Sequence, residues 1–214
     1  MRWLLLVGSV MLVASSAHGL TLTGHFTTGS GLTAEELKSD QEWGQTFQIA
    51  PSGTITEANV DSVVLYLYRQ NNQNGKTITA SIRTSWNGAS LWESTIAAND
   101  VEKDSSATQS VIHDAVNFSA TAATLQASTL YYLRVDTTSN EKVYIHYDQD
   151  SSYSPGSLVN KDGVEEGSHK DLLFAIEGSY PIPEPSTALL LCLGLAGWAH
   201  ARRVNTRGRA ATDA

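Results

Sequence analysis

Between Leu20 and Tyr180 the chain has no cysteine; its one thiol, Cys192, sits in an apolar run near the far end. No disulfide can hold this region together, yet about 160 residues suffice for a single core without one. Cys192 also lacks a polar neighbour to lower its pKa, which argues against a nucleophile. Positive charge is scarce: Leu20 to Tyr180 holds nine Lys and Arg against twenty Asp and Glu, a formal charge of −11. Such a surface repels nucleic acid and anionic lipid, so neither is an expected partner. Catalytic motifs are missing. His25, His113, His146 and His169 fall in neither His-Glu-x-x-His nor His-x-His spacing, and there is no Gly-x-Ser-x-Gly elbow. The expectation is a protein that is not an enzyme. A secreted glycoside hydrolase stays open as an alternative because its two carboxylates need only meet in space.

What is present begins at the two ends. Met1-Arg2, the apolar stretch Trp3 to Ala14 and the small-x-small site Ala17-His18-Gly19 predict a signal peptide over residues 1–19, cut after Gly19. At the other end Pro181, Pro183 and Pro185 each fix φ and remove an N–H, so the segment is read as stiff and extended. From Ala188 to Ala199 every residue is apolar or small, which predicts a membrane-inserted helix rather than a helix on a soluble core. The run is short for a bilayer, and Arg202 and Arg203 can snorkel to make up the length. Those arginines form a basic stop on the cytoplasmic side. Residues 204–214 are predicted to be a disordered cytoplasmic tail.

Pro183-Glu184-Pro185, the apolar run and Arg202-Arg203, in that order, resemble the PEP-CTERM sorting signal of Gram-negative bacteria. The resemblance covers residues 181–203. It implies that exosortase, a membrane-embedded cysteine protease-transpeptidase, recognises the Pro-Glu-Pro motif. It also implies export through the inner membrane, a transient membrane anchor, and then a place at the cell surface or in the extracellular matrix. The family is associated with bacteria that make exopolysaccharide, biofilm or floc, so extracellular polysaccharide is the implied partner.

Residues 20–180 then form the ectodomain. Its strands are read from alternation. Phe47 and Ile49, Val63 to Tyr68, Ile78, Ala80 and Ile82, Leu91 to Ile96, Val111 to Phe118, Tyr131, Leu133 and Val135, Val143, Ile145 and Tyr147, and Leu172, Phe174 and Ile176 give about eight. Thr33-Ala34-Glu35-Glu36 fits a capping box and predicts one short helical turn. Eight short strands without βαβ spacing predict an all-β, jelly-roll-like β-sandwich. Trp43 to Gly178 further resembles the jelly-roll choice-of-anchor domains, on Trp43-Gly44-Gln45-Thr46-Phe47, Leu125 to Val135, Ser151 to Ser157 and Asp171 to Phe174.

Two binding sites suggest themselves. Asp148, Asp150, Asp162 and Asp171 lie in and around one long acidic segment, and hard oxygens of this kind suit a structural Ca²⁺, although no EF-hand spacing is met. The alternative is a solvated acidic loop. Trp86, Trp92 and Tyr153 fall near strand ends or loops and could build a solvent-exposed aromatic platform for a sugar. Trp86 leads, because Asn87-Gly88 places it at a turn. The competing expectation is that these rings cover the sheet or fill the core.

Overall fold

The computed structural model describes residues 20–26, 31–104, 113–140, 142–151, 153–154, 156–167 and 169–181. The signal peptide, the sorting helix with its Pro-Glu-Pro motif and arginines, and the tail lie outside the described residues. The chain divides into two units at Tyr180–Pro181, and every described strand belongs to the first.

The described chain is all β apart from a 3₁₀ turn at Ala98–Asp100. Its strands are β1 (Leu20–His25), β2 (Leu32–Leu37), β3 (Trp43–Phe47), β4 (Glu57–Arg69), β5 (Thr77–Arg83), β6 (Ser90–Ala97), β7 (Ala115–Gln126), β8 (Tyr131–Thr137), β9 (Val143–Asp148), β10 (Leu158–Val159), β11 (Asp171–Leu172) and β12 (Phe174–Ser179). Among the described residues no helix is long and apolar enough to cross a membrane.

Two antiparallel sheets result. The five-stranded sheet runs β10-β3-β8-β5-β6. β5 and β8 show why it forms. Ile78, Ala80 and Ile82 on one, and Tyr131, Leu133 and Val135 on the other, are all buried on one face, as period-2 alternation requires. The seven-stranded sheet is organised by β4, whose thirteen residues serve several neighbours. Its edge pairs with β12 from Asn59 to Leu65 and passes to β9 from Leu67 to Arg69. β11 and β12, separated at Leu173, occupy the space where β4 and β9 diverge. A bulge between Val60 and Ser62 moves the inward set from Ala58 and Val60 to Val63, Leu65 and Leu67.

The sheets share one core. Phe47 of β3 packs on Phe174 of β12 with ring centroids 6.2 Å apart, joining one sheet to the other. Gln45 of β3 makes a polar tie, donating from Nε2 to Asp171 Oδ1 (2.6 Å) and accepting at Oε1 from the Leu172 N–H (2.8 Å). β1 pairs with β12 so that Leu20 faces Gly178; the first and last described strands are neighbours at one pole. Tyr180 joins the same pole, its hydroxyl donating to the Ala50 carbonyl (2.7 Å).

Two expectations are corrected. The capping box at Thr33–Glu36 is not a helical turn: these residues are β2, paired along their whole length with β9, with Ala34 and Leu37 buried. Cross-strand pairing outweighs the local helix-start signature, and Glu36 accepts from the Lys142 N–H (2.7 Å) instead of capping its own turn. The strand expected from Val111 to Phe118 begins at Ala115 and continues to Gln126; residues 111–112 lie outside the described set.

Candidate functional site

Among the described residues, a cleft of about 430 Å³ is lined by Lys38, Asp40, Gln41, Trp43, Asn160, Lys161, Asp162 and Glu166. It lies at the end of the domain where β2 turns into β3 and the chain leaves β10. One wall is the turn Lys38–Gln41, closed by reciprocal backbone bonds between Lys38 and Gln41 and fastened by Ser39 N–H to the Ser139 carbonyl (2.8 Å).

The other wall is built around Asn160. Its Oδ1 accepts the N–H groups of Asp162 (3.0 Å) and Val164 (3.1 Å), and its Nδ2 donates to Glu166 Oε1 (2.7 Å). That is the local side-chain-to-backbone bonding that favours Asn in turns. Gly163 closes the turn at φ +76°, a conformation that other residues adopt only with strain. The loop is held down from below: Trp86 Nε1 donates to the Lys161 carbonyl (2.9 Å).

The cleft floor includes Trp43, whose indole N–H is buried without a hydrogen-bond partner. Lys38 pairs with Glu36 (2.9 Å). Burial pushes the Glu36 carboxyl up, but the Lys142 N–H and the Lys38 ammonium outweigh burial and bring it below its ordinary value. Two ammonium groups, three carboxylates, a side-chain amide pair and an indole thus surround one open space. Such a lining can hydrogen-bond a neutral polyhydroxylated ligand from several directions.

The residues expected to form an exposed sugar platform are not assembled. Trp86 is 6% exposed and Trp92 2%. Gly88 does close the expected turn on Ser85 (2.9 Å). The Trp86 ring nonetheless folds back on the five-stranded sheet, between Gly44 and Gly163, with the Arg134 guanidinium 5.6 Å from its centroid. Gly44 makes the seat, because a Cβ there would strike the ring. Trp92 belongs to the hydrophobic core. Tyr153 is half-buried; its hydroxyl bonds Thr23 Oγ1 (2.8 Å) and its ring meets Phe174 edge-on at 5.5 Å. Rings set in three different places, two of them buried, do not form one face.

Of the four acids expected to hold Ca²⁺, the structure brings together only some. Asp148 and Asp171 are cross-strand partners, and Asp150 donates its N–H to Asp148 Oδ1 (3.0 Å). Asp162 instead lines the cleft with Trp43. Asp171 is committed to Gln45, and His25 Nε2 stands 3.5 Å from Asp148 Oδ2, where a cation would compete with it. Burial raises the Asp171 pKa, against the opposing effects of Ser151 and Gln45. Among the described residues no group of three or more His, Cys, Asp or Glu side chains converges as a metal site would require. The cleft itself has only a faint signature in sequence: Asn160-Lys161-Asp162-Gly163 reads as a turn, and nothing links it to Lys38–Gln41 more than a hundred residues earlier.

Residues 181–204 match the PEP-CTERM protein-sorting motif. The chain carries a PEP-CTERM sorting signal. The match begins where the compact unit 1–180 ends, so motif and domain abut without overlap. The PEP-CTERM motif implies an exported protein addressed to exosortase, sorted through a membrane-anchored stage and delivered to the surface. No curated protein matches the chain.

Proposed function

We propose that the mature protein is an exosortase-processed component of the cell surface or extracellular matrix, without catalytic activity. Its jelly-roll-like domain has a structural or adhesive role in contact with exopolysaccharide. The observation that carries this reading is the PEP-CTERM motif at 181–204, set directly after a self-contained acidic β-domain. An acidic, cysteine-free domain suits an exterior setting in which solubility does not depend on redox state. The test is mass spectrometry of surface and culture fractions. Chains that start near Leu20 and end before Arg202-Arg203 are expected there. Recovery of the intact arginine terminus from the surface, or of the protein from the cytosol, removes the proposal.

The cleft supports a second reading, that the domain is a carbohydrate-binding module. The favouring feature is the mixed lining of the cleft, where the polar side chains of Gln41 and Asp162 share the walls with Trp43. Pull-down on purified exopolysaccharide tests it with the double variant Gln41→Ala/Asp162→Ala. Losing two hydrogen-bonding groups is expected to weaken retention about tenfold, from roughly 0.5–1.5 kcal/mol each. Retention equal to that of the parent chain counts against the cleft while leaving the matrix role untouched.

A further inference from the structure

A chain of buried titratable side chains lies outside the cleft and has no part in the proposed function. It joins β2, β9 and two residues of the β6–β7 connection, Asp104 and His113. Asp104 Oδ2 is 2.9 Å from His113 Nε2, His113 Nδ1 is 2.8 Å from His146 Nε2, and His146 Nδ1 is 3.3 Å from the Thr33 carbonyl oxygen. The two imidazoles are nearly coplanar, at 19°. His146 is fully buried and His113 almost so.

Counting protons decides what this chain holds. The Thr33 carbonyl can only accept, so His146 Nδ1 must carry a hydrogen. The ring-to-ring contact needs one hydrogen between two nitrogens. The Asp104 link needs one as well, whether it rests on the carboxyl or on His113. Three links require three protons, and two neutral imidazoles supply two. The geometry points to a single additional proton shared along Asp104–His113–His146, which makes the three side chains one net-neutral clasp, complete at that proton count and broken at the count on either side.

With one proton fewer, two acceptors face each other in a buried place, where an unmade bond is costly. With one more, two imidazolium rings meet nitrogen to nitrogen. The neighbours fit the arrangement. Tyr68 from β4 stacks on His113 with centroids 4.2 Å apart, and Tyr144 from β9 stacks on Tyr68 at 4.7 Å. Burial, then Tyr144 and Asp104, push the Tyr68 phenol up to about 12, so it stays neutral and gives the chain no anion. Glu36 and Lys38 act on Tyr144 at the outer side. Glu102 is engaged by the Asp114 N–H (3.2 Å). Burial, then His113, lower His146 from 6.5 to about 4. A histidine held down in the folded state takes its proton in the unfolded chain first. Its contribution to stability is therefore present above pH 6.5 and is lost as the pH falls through about 4.

The experiment uses the full-length chain in detergent with ¹⁵N-labelled histidine. At pH 7 His113 is expected to show hydrogens on both ring nitrogens and His146 a hydrogen on Nδ1 alone. Asp104→Asn keeps the shape and removes the anion; His113 should then lose its second proton. The melting-temperature gap between the parent and Asp104→Asn should be widest near neutral pH and narrow as the pH falls. A His146 protonated on Nε2 at pH 7 overturns the proposal even if the variant fails to fold. So does an Asp104→Asn chain whose His113 stays doubly protonated, or a gap that ignores pH.

Discussion

Replacing Pro183, Glu184 and Pro185 by three alanines is expected to abolish processing at the sorting motif. The full-length chain, with Arg202-Arg203 attached, should accumulate in the inner-membrane fraction while the surface form disappears. The reason is chemical. Two prolines with fixed φ and no N–H hold an extended peptide that a cleft can grip, and alanine is the best helix former. Alanines at 183–185 therefore remove the backbone constraint just before the apolar run that starts at Ala188. Glu184→Gln separates shape from charge: it leaves both prolines and removes only the carboxylate. Immunoblots of membrane, surface and culture fractions read the result. Unchanged surface yield from the triple-alanine chain would mean that exosortase does not read this motif.

The second large effect is on stability. Phe47→Ala should cost about 3–5 kcal/mol, the range for removing a fully buried aromatic ring. Phe47 is where the two sheets meet: it lies 5.8 Å from the Tyr131 ring within its own sheet and 6.2 Å from Phe174 in the other. Neither partner can follow the missing ring, since each is fixed in a ladder, Tyr131 opposite Phe47 itself and Phe174 opposite Leu65. The cavity should persist, and the melting temperature should fall by on the order of 10 °C. Leu91→Ala, on the exposed edge strand β6, is the control and should stay within about 0.5 kcal/mol. Chemical denaturation with both variants checks the contrast. Equal losses would mean that the sheets are not held at Phe47.

Which parts of the molecule could be read in advance follows from how local their causes are. β5 and β8 are legible because one face is apolar and the other polar at every step. The second half of β7 is not: Ser119, Ala120, Thr121, Ala122 and Ala123 are small on both faces and leave no period to detect. β10 and β11 are two residues each and rest on distant partners rather than on their own pattern. β1 and β2 owe their state to β12 and β9, and in β2 that pairing overrides a helix-start motif. Trp86 does stand at a turn, but its burial depends on Gly44 and Gly163, which sequence proximity does not reveal. The cleft fails for the same reason, its two walls meeting only through the fold. The sorting motif is legible because an enzyme reads it as a linear peptide.

The neighbouring positions of Leu20 and Gly178 have a mechanical consequence. The chain enters and leaves its domain at one pole, while the Lys38–Gln41 and Asn160–Asp162 walls lie toward the other. A pull between those walls and the exit at Tyr180 runs along the strands. Ladder bonds lie across that direction, so they are strained together in shear instead of opening one after another like a zipper. A fold of this kind resists tugging best along the axis on which a surface fastener would be loaded.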